Sequence, residues 1–137
     1  MTVVVDTSLV LALYDASDAN HLPAAEWVRD VDDELVTSPL VVAELDQLVG
    51  AVAPQARGVL LDDLDRGAIT VRWWADALAE SIAIARSRAD LGLSHASLLA
   101  LAARLRTPFI ATFDHPRFRS LTTSAGEPFV LLPADAT

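Results

Sequence analysis

The stretch VVVDTSLVLALY, residues 3–14, indicates the fold class of this chain. Its three consecutive β-branched valines predict a short buried strand. The polar residues 6–8 end that strand, and the apolar run Leu9–Tyr14 predicts a helix with Thr7 or Ser8 as its N-cap. A strand that leads directly into a helix is typical of the first unit of a parallel α/β fold.

The rest of the chain continues this alternation. We expect further strands over residues 35–36, 68–73, 109–113 and 129–132, and helices over residues 23–31, 38–49, 55–66, 75–88 and 94–106. Gly50 is expected to end the helix that starts at residue 38, and Ser94 to cap the one before Arg106. The pattern predicts the α/β class, a three-layer α/β/α sandwich around a central, mostly parallel sheet of four to five strands. A length of 137 residues, without repeats or linkers, fits one domain.

The charge balance argues against nucleic-acid binding by bulk positive charge. The chain has 19 acidic and 10 basic residues, a formal net charge of -9, and all its basic residues are arginine. Nonspecific affinity for nucleic acid comes mainly from basic side chains that neutralise phosphates. A basic protein or a metal ion is therefore the partner that the composition favours.

Composition also bears on the compartment. The chain has no cysteine, which excludes disulfides, cysteine-based zinc sites and thiol nucleophiles. The N-terminal residues lack the basic segment and apolar core of a signal peptide, and no apolar run approaches the roughly 20 residues that a membrane-spanning helix needs. We therefore expect a cytoplasmic protein that does not enter a membrane.

Two aspartates follow two of the predicted strands. Asp6 ends the first strand, and Asp114 follows the strand predicted over residues 109–113. In open α/β sheets, ligands bind beyond the carboxyl ends of the strands, where the strand order reverses. If the two strands are neighbours, both carboxylates enter one cleft. The alternative is that each aspartate only ends a strand or caps a helix.

Glu44 is a third candidate. On a helical wheel of residues 38–49, it lies at the edge of the apolar stripe, about 40° from Leu48. A carboxylate placed there loses hydration and needs a compensating partner, such as an arginine or a metal ion. Otherwise its side chain reaches out to water.

Four segments in order resemble the PIN-domain ribonucleases, and within them the toxins of VapBC-type toxin–antitoxin pairs. They are VVVDTS at 3–8, SPLVVAEL at 38–45, GLSHAS at 92–97, and IATFD at 110–114 followed by Phe118. The resemblance covers nearly the whole chain and implies a single PIN-like domain over residues 1–137. It further implies an endoribonuclease toxin that cleaves structured RNA, a site of four acids that binds Mg²⁺ or Mn²⁺, a cognate antitoxin that silences it, and a homodimer.

One position departs from the family pattern. Where the family has its third acid, this chain has His95, so the metal-binding roles carry over only to Asp6, Glu44 and Asp114. At the first position of its helix, His95 would be kept neutral by the helix dipole, and could then bind Mn²⁺ or Zn²⁺ more readily than Mg²⁺, or transfer a proton. It could instead leave a catalytically impaired PIN-like module that still binds an antitoxin or RNA, or act only in capping or packing.

Further polar residues flank these candidates. Hydroxyl groups beside the acids are expected to hold the carboxylates or to cap helices, and basic residues after Asp114 are expected to contact substrate or to be ordinary solvated residues. The hydroxyl residues are Thr7, Ser8 and Thr112, and the basic ones are His115, Arg117 and Arg119. A phosphoryl-transfer domain built on Asp6 is less favoured, because such domains usually have a second carboxylate or a well-placed lysine, and this chain has no lysine.

Overall fold

Parallel strands form the centre of the molecule in the computed structural model, which describes residues 1–136. Within this range the strands are β1 (Thr2–Val5), β2 (Glu34–Thr37), β3 (Thr70–Val71), β4 (Phe109–Ala111) and β5 (Val130–Leu132). The helices are α1 (Thr7–Tyr14), α2 (His21–Asp30), α3 (Pro39–Val52), α4 (Arg57–Asp65), α5 (Ala77–Ser87), α6 (Leu93–Leu105) and α7 (His115–Arg119). A 3₁₀ turn over Pro54–Ala56 precedes α4.

The strand order across the sheet is β3-β2-β1-β4-β5, and every adjacent pair is parallel. The chain builds outward from β1 on one side through β2 and β3, then crosses to β4 and β5 on the other. The order therefore reverses between β1 and β4, where Val5 is in register with Ala111. This is the position at which an open α/β sheet binds its ligands.

Helices cover both faces of the sheet. Side chains alternate between the two faces along a strand, yet Val3, Val4 and Val5 are all fully buried. Val36, Ile110 and Leu131 on the neighbouring strands are also fully buried and belong to the same core. The predicted α/β/α sandwich is confirmed, with a sheet of five strands within the described range.

Several predicted boundaries are wrong by a few residues. Gly50 lies inside α3, which continues to Val52, because burial of Val49 outweighs the small helical penalty of a glycine. Helix α6 begins at Leu93 with Gly92 at the N-cap, so Ser94 does not cap it. Helix α1 begins at Thr7, which makes Asp6 the residue at its N-cap position.

The predicted strand over residues 68–73 shrinks to Thr70–Val71, because it is an edge strand with a neighbour on one side only. The predicted strand over residues 109–113 ends at Ala111, where Thr112 turns its hydroxyl towards the backbone of Asp114. No helix within residues 1–136 has the length and apolarity needed to cross a membrane.

Candidate active site

Asp6 and Asp114 meet at the carboxyl ends of β1 and β4, as the pattern of strands predicts. The His95 ring lies between them: its Nε2 atom is 3.4 Å from Oδ1 of Asp6 and 3.9 Å from Oδ2 of Asp114. Asp6 comes directly after β1, Asp114 follows β4 by three residues, and His95 is in the first turn of α6. Two carboxylates and an imidazole are thereby brought together at the reversal of strand order.

Asp6 is almost completely buried, with 1% of its surface exposed. The hydroxyl groups of Ser8 and Thr112 each donate a hydrogen bond of 2.8 Å to its Oδ2 atom. Its Oδ1 atom, by contrast, has no hydrogen-bond partner among the described residues. The neighbour that Oδ1 does have is Nε2 of His95 at 3.4 Å, so compensation of this buried oxygen depends on that ion pair or on a ligand.

The pKa of Asp6 reflects this environment. Burial alone would raise it, but interaction with His95 and the hydrogen bonds from Ser8 and Thr112 outweigh burial, and the pKa of Asp6 lies below its ordinary value. Asp6 is therefore a carboxylate at neutral pH, and its negative charge is available to a cation.

The two hydroxyl groups that hold Asp6 also organise the following loop. The backbone N–H of Phe113 donates to the hydroxyl of Ser8 at 3.0 Å, and that of Asp114 donates to the hydroxyl of Thr112 at 2.9 Å. Ser8 and Thr112 thus connect the loop after β4 to the Asp6 carboxylate. The structure gives them the carboxylate-holding positions expected from the sequence.

Glu44 lies partly buried on α3, at the side of the cluster. The hydroxyl of Thr7 donates to its Oε1 atom at 2.6 Å, and that of Ser94 is 3.4 Å from its Oε2 atom. Thr7 follows Asp6 in the chain and Ser94 precedes His95. Glu44 is therefore connected to the cluster through the residues next to Asp6 and His95. Hydroxyl groups, rather than an arginine, hold this carboxylate.

His95 occupies the third position of α6, not the expected first position. Its ring is edge-on to the buried Phe118, with 5.6 Å between ring centroids, and one-fifth of its side chain is exposed. The pKa of His95 is raised, chiefly by its interaction with Asp6, against the opposing effect of burial. This shift is opposite in direction to the one that the helix dipole alone would cause.

The basic residues after β4 point in different directions. Nε of Arg117 donates to Oδ2 of Asp114 at 2.9 Å, which keeps it at the cluster. Arg119 instead pairs with Asp135 near the C-terminus, away from the acids, because that carboxylate accepts both of its terminal nitrogens. His115 places its ring beside Phe113, 6.5 Å between centroids, and its Nε2 atom is buried without a hydrogen-bond partner in the described part of the chain.

Two sets of contacts were not anticipated from the sequence. Nη1 of Arg117 donates to the backbone carbonyl of Asp90 at 2.7 Å, which joins α7 to the loop before α6. The buried hydroxyls of Ser38 and Ser97 are 2.6 Å apart, and Ser97 donates to the carbonyl of Ser94. Neither pairing has a local sequence signal, because the partners are 27 and 59 residues apart.

The donor set is compatible with a hard divalent cation. Within residues 1–136, no group of three or more His, Asp or Glu side chains is placed so that all of them could hold one metal ion. Mg²⁺, however, commonly binds through only one or two carboxylates and keeps several waters. The carboxylate oxygens of Asp6 and Asp114, with Oδ1 of Asp6 making no hydrogen bond among the described residues, suit an ion of this kind.

Comparison with known proteins agrees with this architecture. The family model described as "PIN domain" matches residues 3–122. The chain is 36% identical over 134 residues to Ribonuclease VapC26 of Mycobacterium tuberculosis, which covers 95% of this chain and 99% of that relative.

Solved structures share the fold. The M. tuberculosis toxin VapC20, described as cleaving the sarcin-ricin loop, matches with a TM-score of 0.70 and 23% identity over 82% of this chain and 89% of its own. VapBC2 of Rickettsia felis, bound to a promoter DNA fragment, gives a TM-score of 0.63 and 15% identity, over 88% and 93% of the two chains. FitAcB of Neisseria gonorrhoeae gives 0.51 and 19%, over 82% and 88%. The family match and the 36% identical relative show that this chain belongs to the PIN-domain family, among the VapC-type ribonucleases.

Proposed function

We propose that the chain is a toxin-type endoribonuclease that cleaves structured RNA and depends on Mg²⁺ or Mn²⁺. The observation that carries this proposal is the pair of carboxylates, Asp6 and Asp114, on either side of His95 at the reversal of strand order. Membership of the VapC-type ribonucleases supports RNA as the substrate. The acidic composition supports a cation as the intermediary between the protein and a phosphate.

Asp6, Asp114 and Glu44 are the residues that would hold the ion, with His95 as a further candidate. A divalent cation at these oxygens would supply positive charge that stabilises the negative charge developing on the scissile phosphate. The protein's own part is to keep Asp6 ionised and fixed through Ser8 and Thr112. Because both hydroxyls bind Oδ2, they leave Oδ1 without a hydroxyl donor, facing Nε2 of His95 at 3.4 Å.

The direct test measures cleavage of a structured RNA by the purified chain with Mn²⁺ or Mg²⁺. We expect Asp6→Asn to reduce cleavage by several orders of magnitude, because the substitution removes the buried negative charge but keeps the shape of the side chain. The exposed Asp32→Asn serves as the matched control and should cleave like the wild type. Full activity in excess chelator would contradict the proposal of metal dependence.

A second candidate function follows from His95. The imidazole stands in the place of a family acid and is drawn towards positive charge by Asp6, which favours a catalytically impaired module that retains antitoxin or RNA binding. The variant His95→Asp separates the two candidates. If the wild type is inactive and His95→Asp cleaves RNA, the chain is an impaired module. If the wild type cleaves and His95→Asp adds little, His95 is part of a working site.

We further propose that a cognate antitoxin silences the chain and that two copies form a homodimer. VapBC2 of R. felis and FitAcB of N. gonorrhoeae, which share the fold, carry the names of two-component complexes. The net charge of -9 favours an antitoxin segment with basic residues. Light scattering on the purified chain tests the dimer, and co-purification with the product of an adjacent reading frame tests the antitoxin.

A further inference from the structure

The three acids of the site are held by different kinds of donor. Among the described residues, hydroxyl groups donate to Asp6 and to Glu44, whereas the Asp114 carboxylate receives its hydrogen bond from the Arg117 guanidinium. This bond joins Nε of Arg117 to Oδ2 at 2.9 Å, and the Arg117 side chain is one-third exposed. Arg117 therefore takes the role for Asp114 that Ser8 and Thr112 take for Asp6.

The same guanidinium has a second attachment. Its Nη1 atom donates to the backbone carbonyl of Asp90 at 2.7 Å. Asp90 lies in the loop between α5 and α6, and this loop leads into the first turn of α6, which carries Ser94 and His95. A guanidinium is planar and rigid, so two bonds from different nitrogens fix its orientation. The Asp114 carboxylate is thereby tied to the segment that positions the other side of the cluster.

From this geometry we propose that Arg117 is a positioning residue for Asp114, and that it does not contact the RNA phosphates. The proposal rests on the function proposed above, in which Asp114 holds a divalent cation. Arg117 occupies Oδ2 of Asp114 and restricts rotation of that carboxylate. The separation between Asp114 and the α6 residues is then set by the Arg117–Asp90 bond.

Arg117→Lys is the discriminating variant. Lysine keeps the positive charge, but its single nitrogen cannot reproduce the separate hydrogen bonds that Nε and Nη1 of the planar guanidinium make. We expect the affinity for Mn²⁺, measured by the electron paramagnetic resonance of the free ion, to fall by about 10-fold or more, as is typical when a residue that orients a metal ligand is changed. Arg57→Lys makes the same change at the Arg57–Asp46 pair, where Nε and Oδ1 are 2.7 Å apart, and should leave Mn²⁺ affinity unchanged.

Two further measurements separate positioning from a direct role. If Arg117 acts through Asp114, then adding Arg117→Lys to Asp114→Asn should lower Mn²⁺ affinity no further. RNA affinity in excess chelator should also stay at the wild-type level in Arg117→Lys and Arg117→Gln. A phosphate contact would instead weaken RNA binding in Arg117→Gln. It would also make the slope of log affinity against log salt concentration shallower by about one unit, and these results would overturn the proposal.

Hydrogen exchange provides a readout that does not depend on a metal. Loss of the bond to the Asp90 carbonyl should speed amide exchange across residues 88–92 in Arg117→Lys but not in Arg57→Lys. Unchanged exchange together with unchanged Mn²⁺ affinity would overturn the positioning role. If Asp114→Asn itself leaves Mn²⁺ affinity and RNA cleavage intact, the proposed function fails at Asp114. If Asp114→Asn lowers both and Arg117→Lys lowers neither, only the role of Arg117 fails.

Discussion

Asp6 combines almost complete burial with an ionised side chain, and single hydroxyl groups make this combination possible. Ser8 and Thr112 supply two hydrogen bonds to one oxygen, while the second oxygen faces His95. Each bond to a buried charged group contributes more than a bond between neutral groups, because the carboxylate would otherwise lose its hydration without compensation. The ionised state of the site thus depends on residues that carry no charge.

Thr112→Val tests this dependence, because it removes one hydroxyl and nearly preserves the volume. The buried Thr112 hydroxyl both donates to Asp6 and accepts from the backbone N–H of Asp114, so its loss leaves the buried carboxylate and the part-buried N–H each short of one partner. We expect the free energy of unfolding to fall by about 1–3 kcal/mol in urea titrations. The exposed Thr122→Val is the control. Equal unfolding midpoints for wild type and Thr112→Val would show that the hydroxyl is dispensable.

Helices α3 and α6 are joined by a chain of buried hydroxyl groups. Ser97 donates to the carbonyl of Ser94 at 2.6 Å, so the Ser38 hydroxyl donates to Ser97 across the 2.6 Å contact between them. Ser38 also caps α3 by accepting from the N–H of Val41 at 3.3 Å. This link sets the start of α3, which carries Glu44, against the first turn of α6.

Ser38→Ala tests this link between elements. The substitution removes the N-cap of α3 and the donor to Ser97 together, and we expect a loss of about 1–2 kcal/mol in the free energy of unfolding. The exposed Ser124→Ala should stay within about 0.5 kcal/mol of the wild type. A Ser38→Ala protein that unfolds at the wild-type denaturant midpoint would contradict the role of the cap.

Asp135 gives the fold a pH-dependent tie between α7 and the C-terminal end of β5. Arg119 donates to it at 2.7 Å and the backbone N–H of Leu131 at 2.8 Å, and with Arg119 as the main cause the pKa of Asp135 falls from 3.8 to about 2. A carboxyl group whose pKa is lower in the folded than in the unfolded state stabilises the fold at pH values above its unfolded-state pKa. This stabilisation is lost as pH falls through the folded value.

We therefore expect Asp135→Asn to lower the melting temperature relative to wild type above about pH 5, and the difference to shrink towards zero near pH 2. Thermal melts of both proteins at several pH values measure this difference. Taking the difference at each pH cancels the contribution of the other carboxylates, which both proteins share. Asp32→Asn should show no comparable trend. A difference that grows as pH falls would mean that the sign of the linkage is wrong.

At the scale of the whole molecule, the proposed divalent cation would make the acidic composition compatible with the proposed RNA substrate. The net charge of -9 repels phosphates, whereas a divalent ion on the Asp6 side of the cleft would reverse the local sign. The chain then needs no extended basic surface for its substrate. The remaining negative charge would serve association with a basic partner.

This reasoning predicts metal-dependent RNA binding. With a 2′-O-methyl RNA hairpin that resists cleavage, we expect affinity to rise by about 10-fold, or about 1.4 kcal/mol, when Mn²⁺ replaces chelator. Asp6→Asn should abolish the increase, because it weakens the proposed ion site. Equal affinity with and without Mn²⁺ in the wild type would indicate that RNA binds through another surface.

Much of the fold and part of the site could be predicted from the sequence. The valines of β1, the polar turn and the apolar helix gave the α/β class, because local periodicity reports burial directly. Asp6 and Asp114 could be paired in advance because carboxyl ends of neighbouring parallel strands share one edge. The end of α3 and the start of α6, expected at Gly50 and Ser94, could not be predicted from the sequence. Tertiary burial of neighbouring residues decided where these helices end and begin.

The sequence by itself determined the order of the elements and which acids are candidates for the site, since both follow from local pattern and side-chain chemistry. Only the tertiary structure decided what each acid touches. The register of β1 with β4 places Thr112 on Asp6, although 106 residues separate them, and the start of α6 places His95 between the two carboxylates. Such contacts depend on strand order and helix placement, which arise from the packing of the whole core rather than from any local segment.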